Sequence, residues 1–256
     1  MSDFSPLILV PSFNTGGILR ETVAGILGCG HPVCVVVDGS TDGSDATLPE
    51  PCGGFEVLRL ADNQGKGAAV LHGVRHALGR GFTHVLTMDA DGQHPAASVA
   101  AFMDVGRRHP EALVLGRPVF EESAPALRVN GRKVSNFWTN LETLGWGIDD
   151  SLFGMRLYPA RDLLAVMEET RAARRFDFDP EVAVRLAWRG VPMVNLATPV
   201  RYPSAEDGGI SQFRYLRDNR LLTWMHIRLL FGFFARAPYL AMRGRNPLDF
   251  ESPPHD

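Results

Sequence analysis

The chain reads as an α/β protein on a mostly parallel sheet, with helices against the sheet and an amphipathic helix near its C-terminus. Three observations predict this. Short aliphatic runs alternate with helix-period segments through the first 120 residues, as strands buried on both faces require. Polar, glycine-bearing clusters follow the ends of four of those runs. The 256 residues, 45% of them hydrophobic and 21% charged, have globular composition, and a chain of that length buries roughly three-quarters of its unfolded surface.

Residues 7–11 and 33–38 are unbroken apolar runs and form the first two strands; 57–60, 84–89 and 113–116 continue the series. Helical patterns cover 16–27, 67–78 and 96–108, the last opened by Pro95, whose fixed φ suits a first turn. Strands alternating with helices imply parallel pairing through right-handed crossovers. The second half is less regular: helices over 131–144 and 179–188, a strand over 193–196, and a long helix from 213 to 234. No repeat or linker interrupts the chain, so 1–212 reads as the main domain and 213–256 as a helix and tail.

A net charge of −3 argues against a nucleic-acid binder. The charge is uneven, however: 201–245 holds eight arginines against three acids, a local +5 that leaves −8 for the rest. Cys29, Cys34 and Cys52 are odd in number and form no CxxC pair, which suits a reducing compartment. Asp3 and Pro6 stand where a signal peptide would begin, and Arg228 and Arg236 interrupt the best apolar stretch. The expectation is a cytoplasmic protein, soluble or peripheral at the inner face of the membrane.

Ligands of parallel sheets bind beyond the strands' carboxyl ends, where the four polar clusters lie. Asp89-Ala90-Asp91-Gly-Gln93 is the sharpest: two carboxylates two apart, with an amide oxygen, offer the hard donors that Mg²⁺ or Mn²⁺ prefer, while DxD alone also occurs by chance. Asp38-Gly-Ser-Thr-Asp42-Gly suits either a solvated turn or contact with a nucleotide base and ribose. Asn63-Gln-Gly65-Lys66-Gly67 opens a helix with glycines and one of only two lysines, fit for phosphate contact or a plain helix entry. A Walker A loop and a GxGxxG turn are both absent. His72 and His76 are four apart on a helix, but no third ligand accompanies them and a zinc site is not expected.

Val10-Pro11-Ser12-Phe13-Asn14, Asp38–Asp42, Asn63–Gly67 and Asp89–Pro95, in order, resemble the family 2 glycosyltransferases of GT-A fold, especially the polyprenyl-phosphate mannosyl- and glucosyltransferases. Gly116-Arg117, Arg132-Lys133-x-Ser135 and the block 152–158 resemble later blocks of that branch, so the likeness runs from Leu7 to Tyr202. It implies a Rossmann-like three-layer fold and inverting transfer from a GDP- or UDP-linked sugar to a lipid-linked phosphate. By the same resemblance Pro11, Phe13, Asn14, Asp38, Asn63, Lys66, Asp89 and Ala90 hold the nucleotide. Asp89, Asp91 and Gln93 hold the metal, and Arg117, Arg132 and Ser135 meet the acceptor phosphate. An anionic acceptor needs no strong base, whereas a hydroxyl acceptor would require one, for which Glu181 or Asp179 is the candidate. A non-catalytic nucleotide-sugar-binding protein is the alternative from another class.

One departure stands out. Where the branch carries an arginine before its Gly-x-Ser block, this chain has Glu206, and Gln212 replaces an expected lysine; Arg201 or Arg214 would have to substitute. On the C-terminal helix, Phe213, Leu216, Trp224, Ile227, Phe231 and Phe234 fall on one face, opposite Arg214, Arg217, Arg228 and Arg236. That pattern fits a membrane-interface helix, or one whose apolar face packs on the domain or a second copy.

Overall fold

The computed structural model describes residues 4–120, 126–201, 215–244 and 246–248, with backbone alone for 126–130, 215 and 216. Seven strands, β1 (Pro6–Ser12), β2 (Val33–Asp38), β3 (Phe55–Leu60), β4 (His84–Thr87), β5 (Leu113–Val119), β6 (Arg156–Pro159) and β7 (Met193–Pro199), form one sheet in the order β3-β2-β1-β4-β6-β5-β7. Every neighbouring pair is parallel except those of β6, which runs against both β4 and β5.

Alternation along the strands divides the core in two. Leu7, Leu9, Cys34 and Val36 face a cluster with α2 (Lys66–Gly79), α5 (Ala160–Glu169) and α6 (Phe178–Trp188). Ile8, Val10, Val33, Val35 and Val37 face the other, against α1 (Ile18–Leu27) and α3 (Val99–Arg108). Period-2 side chains in an all-apolar run therefore supply both layers at once. Register aligns Ser12 with Val37, and Asp38 with Leu60, so β1, β2 and β3 end along a common edge. β4 ends two residues earlier than expected: Met88 N–H still donates to Leu9 O, and Asp89 leaves the ladder beside that edge.

β6 and α5 were not legible as elements. β6 has four residues, one of them a completely buried arginine, and α5 follows it without an intervening loop. α4 (Ala126–Thr143) and α7 (Tyr215–Met242) extend beyond the expected 131–144 and 213–234.

The orientation of α7 corrects the expected pattern. Its packing face is Met225, Leu229, Phe233 and Leu240, buried with Val184 and Trp188 of α6; each such side chain contributes about 1.5–3 kcal/mol. A Cβ at Gly232 would lie 2.6 Å from the Trp188 ring, so glycine lets the helix seat. The arginines are not a uniformly solvated stripe: Arg228 pairs with Glu181 at 2.9 Å, and the Arg236 guanidinium sits 4.7 Å from the Trp188 ring centre. Trp224, Ile227, Phe231 and Phe234, by contrast, are exposed, Phe231 to 74%. α4 exposes Val134, Phe137 and Leu141 with the same 3-4 spacing, and Leu144 just beyond its end is exposed as well. Among the described residues no helix is long and apolar enough to cross a membrane. Glu206, Gln212, Phe213 and Arg214 lie outside the described residues, as does the side chain of Leu216.

Candidate active site

The loops beyond β1, β2 and β3 are tied to one another by the polar residues singled out above. Asn14, with φ of 46°, donates its backbone N–H to Ser40 Oγ and accepts from Thr41 N–H at 2.8 Å through Oδ1. Pro11 is buried beneath this turn, and Phe13 is half-buried. Asp38 is only 2% exposed, and its two oxygens accept the backbone N–H groups of Gln64 (2.9 Å) and Gly65 (2.7 Å). Its carboxylate anchors the loop that presents Lys66. Asn63 shares this anchoring, reaching Asp38 O and accepting from Arg175.

Gly65 (φ 103°) turns the chain into α2, and a Cβ at Gly67 would lie 2.1 Å from Ala173 O, so the helix start abuts residues 173–174. That contact brings the α6 end of the chain to Lys66. The Lys66 ammonium lies 2.7 Å from Asp89 Oδ1 and 2.7 Å from Asp179 Oδ2. Burial disfavours the ammonium, but Asp179 and Asp89 outweigh it and hold its pKa above the usual lysine range. Burial likewise opposes the Asp89 carboxylate, yet Lys66 and His94 keep it well below the usual carboxylate range. Asp91 moves the other way: burial and then the Asp89 charge push it up. Its Oδ1 accepts from Gln93 N–H, and the Gln93 carbonyl accepts from Arg201 N–H, which brings Arg201 beside the acidic loop. Ala90 is buried between the two carboxylates. Gly154 closes one side, since a Cβ there would stand 2.1 Å from Asp89 Oδ2.

Among the described residues no three His, Cys, Asp or Glu side chains converge as a cation cluster, and Lys66 neutralises Asp89. The donor set nonetheless fits a hard divalent cation. Asp91 is a carboxylate crowded by a second one, a repulsion that a cation between them relieves, and Gln93 adds an amide.

The residues expected at the acceptor lie on β5 and α4. Arg117 approaches Asp149 at 3.8 Å, and Arg132 bonds Asp150 at 2.7 Å while stacking over Phe120. Ser135, one turn beyond Arg132, is buried and bonded to His226 and Ser151. Glu181 does not join them. It is completely buried, its two oxygens held by Arg185 (2.9 Å) and by Arg228 of α7 (2.9 Å). The acid that does reach the site is Asp179, and its Oδ1 has no hydrogen-bond partner among the described residues. Sequence reasoning missed Arg156, whose guanidinium bonds the carbonyls of Phe153, Asp179 and Asp150. Its signal was an arginine inside an otherwise apolar block.

The fold agrees with the comparisons. A polyprenol monophosphomannose synthase of Mycolicibacterium smegmatis is 27% identical over 216 residues, covering 79% of this chain and 78% of that protein. An undecaprenyl-phosphate mannosyltransferase of Micrococcus luteus is 26% identical and covers 79% and 85%. Among solved structures, the glucosyl-3-phosphoglycerate synthase of Mycobacterium tuberculosis, crystallised with Mn²⁺, UDP-glucose and phosphoglyceric acid, superposes with a TM-score of 0.64. At 14% identity it covers 91% of this chain and 80% of its own, which marks the sheet as GT-A-like. The model of glycosyl transferase family 2 matches residues 7–163, a span holding Asn14, Asp38, Lys66, Asp89, Asp91 and the acceptor-side arginines. With that span and this rim, the chain belongs to glycosyl transferase family 2.

Proposed function

We propose that this enzyme transfers a sugar, with inversion, from a nucleoside diphosphate sugar to a lipid-linked phosphate, docked peripherally on the cytoplasmic face of a membrane. The observation that carries the reading is on α4. Arg132 and Ser135 sit one turn apart on its inward face, while Val134, Phe137 and Leu141 expose an apolar stripe on the opposite face of the same helix. A helix with a cation and a hydroxyl turned into the site and an apolar outer face suits an anionic headgroup held in the site while the helix lies on the hydrocarbon surface. The two relatives named above, whose names specify polyprenyl-phosphate chemistry, support it, and the second exposed stripe on α7 extends the apolar surface.

Asp89, Asp91 and Gln93 would hold Mg²⁺ or Mn²⁺, which supplies positive charge against the donor diphosphate when bound. Lys66, already held between Asp89 and Asp179, adds a protein cation at the same edge. Asp38 keeps Lys66 there by clamping the preceding loop. Arg117 and Arg132, held beside Asp149 and Asp150, orient the acceptor phosphate. Its oxygen is anionic and attacks without a base, consistent with Glu181 being committed to two arginines.

The test is transfer from a panel of GDP- and UDP-linked sugars, with Mn²⁺ or Mg²⁺, to a polyprenyl phosphate and to the matching alcohol. Arg132→Ala should abolish transfer to the phosphate and leave donor binding intact. Preference for the alcohol, with activity lost in Asp179→Asn, would replace this reading with base-assisted transfer to a hydroxyl.

A further inference from the structure

We infer that His226 of α7 is a positioning residue for the acceptor side of the site: it sets the direction of the Ser135 hydroxyl, and Glu142 sets the direction of His226. The inference rests on the proposed role of Ser135 toward an acceptor phosphate. Ser135 is 6% exposed, so its hydroxyl takes its partners from the protein. They are His226 Nε2 at 3.2 Å and Ser151 Oγ at 3.0 Å. A hydroxyl has one proton and two lone pairs, so two partners leave one direction open. Ser135 lies on the α4 face that also carries Arg132, three residues earlier.

The imidazole is itself held. Its Nδ1 lies 2.9 Å from Glu142 Oε1, and Glu142 is completely buried. The Glu142 carboxyl at Nδ1 fixes the ring and turns Nε2 toward Ser135; with Nε2–H and Ser151 Oγ–H both donating to Ser135 Oγ, its own proton is left to point at an acceptor phosphate. Burial pushes the Glu142 carboxyl up, its bond to His226 opposes this, and the charge of Glu181 adds to the rise. A buried acid, an imidazole and two hydroxyls between helices cost more than an apolar contact unless fully paired. Glu142 Oε2 has no hydrogen-bond partner among the described residues, so this chain of polar groups is not the most stable packing available. One and two turns further along α7, Leu229 and Phe233 show the apolar alternative. α7 lies beyond the 7–163 span of the family match, so a separate segment of this chain supplies the constraint.

Two substitutions separate the roles of the ring nitrogens. In His226→Asn the amide reaches where Nδ1 was, keeping Glu142 and releasing Ser135. In His226→Gln it reaches where Nε2 was, keeping Ser135 and leaving Glu142 unpaired. The asparagine variant should raise the KM for a polyprenyl phosphate roughly three- to tenfold, the loss of one hydrogen bond, with an unchanged donor KM. The glutamine variant should keep an acceptor KM near that of the wild type although it has the lower Tm. Affinity and stability thus move in opposite order, which a purely structural role cannot produce. Acceptor KM values that track Tm, or that change in neither variant, overturn the inference. Ser135→Ala is the control: if it leaves the acceptor KM unchanged, the acceptor assignment itself has failed. If it raises that KM while His226→Asn does not, only the positioning role has failed.

Discussion

Lys66→Met removes an ammonium from between two carboxylates, and the structure sets the size of the effect. The Lys66, Asp89 and Asp179 side chains are 14%, 28% and 7% exposed, with both N–O distances 2.7 Å. This is the shielded regime, where deleting one partner costs about 3–5 kcal/mol because the other charge is stranded; exposed pairs cost about 1 kcal/mol or less. For a domain of this length each kcal/mol lowers Tm by roughly 2–4 °C, so a fall of roughly 6–20 °C is expected. Asp89 titrates below its unfolded value, so its contribution is present above the ordinary carboxylate range and is lost as pH falls through the depressed native value. Lys66 titrates above its unfolded value, so its contribution is complete below the ordinary lysine range and is lost as pH rises through the elevated native value. The wild-type advantage should therefore be level between about pH 5 and pH 9. Urea and thermal unfolding of both proteins across that range measure it. A difference below about 1 kcal/mol would show the triad to be solvent-screened and refute the reasoning.

Two further outcomes follow from the same geometry. Burial and the Asp89 charge raise Asp91, so metal-free wild type should lose stability as pH rises through its elevated native value; Asp91→Asn should remove that slope in melts while weakening Mn²⁺-dependent nucleotide binding in calorimetry. Replacing exposed Trp224, Phe231 and Phe234 with serine should cut sedimentation with anionic vesicles and leave Tm within about 2 °C; unchanged sedimentation would remove α7 from the membrane contact.

The edge loops proposed to hold the donor were legible as loops because they hang on continuous apolar strands. Val33–Asp38 is six buried residues in a row, and the polar run after it can only be an edge loop. β1, β2 and β3 deliver their loops to one edge by register alone. The roles inside those loops were less legible. The motif at Asp38 was open to a turn or a nucleotide contact, and only the fold shows its carboxylate accepting two backbone N–H groups of the next loop. Glu181 and Asp179 are two apart at the start of α6, which sequence cannot separate; the helix turns one into arginines and the other toward Lys66. On α7 a helical wheel found an apolar face, but the helix carries two, and packing on Trp188 chose the other.

Arg156 explains why the two halves are not independent. It is completely buried on an antiparallel strand inserted between parallel ones, and it ends among three backbone carbonyls. One belongs to Phe153, next to the glycine packed against Asp89; another to Asp179, which holds Lys66; the third to Asp150, which holds Arg132. A buried guanidinium without carbonyl partners would be severely destabilising, so these three segments are constrained together. Lys66 on the donor side and Arg132 on the acceptor side are thereby set by one side chain that is shielded from solvent. In the proposed transfer a sugar passes between two anionic groups, which needs its cations at a fixed separation, and reversing β6 places a single arginine where it can set that separation.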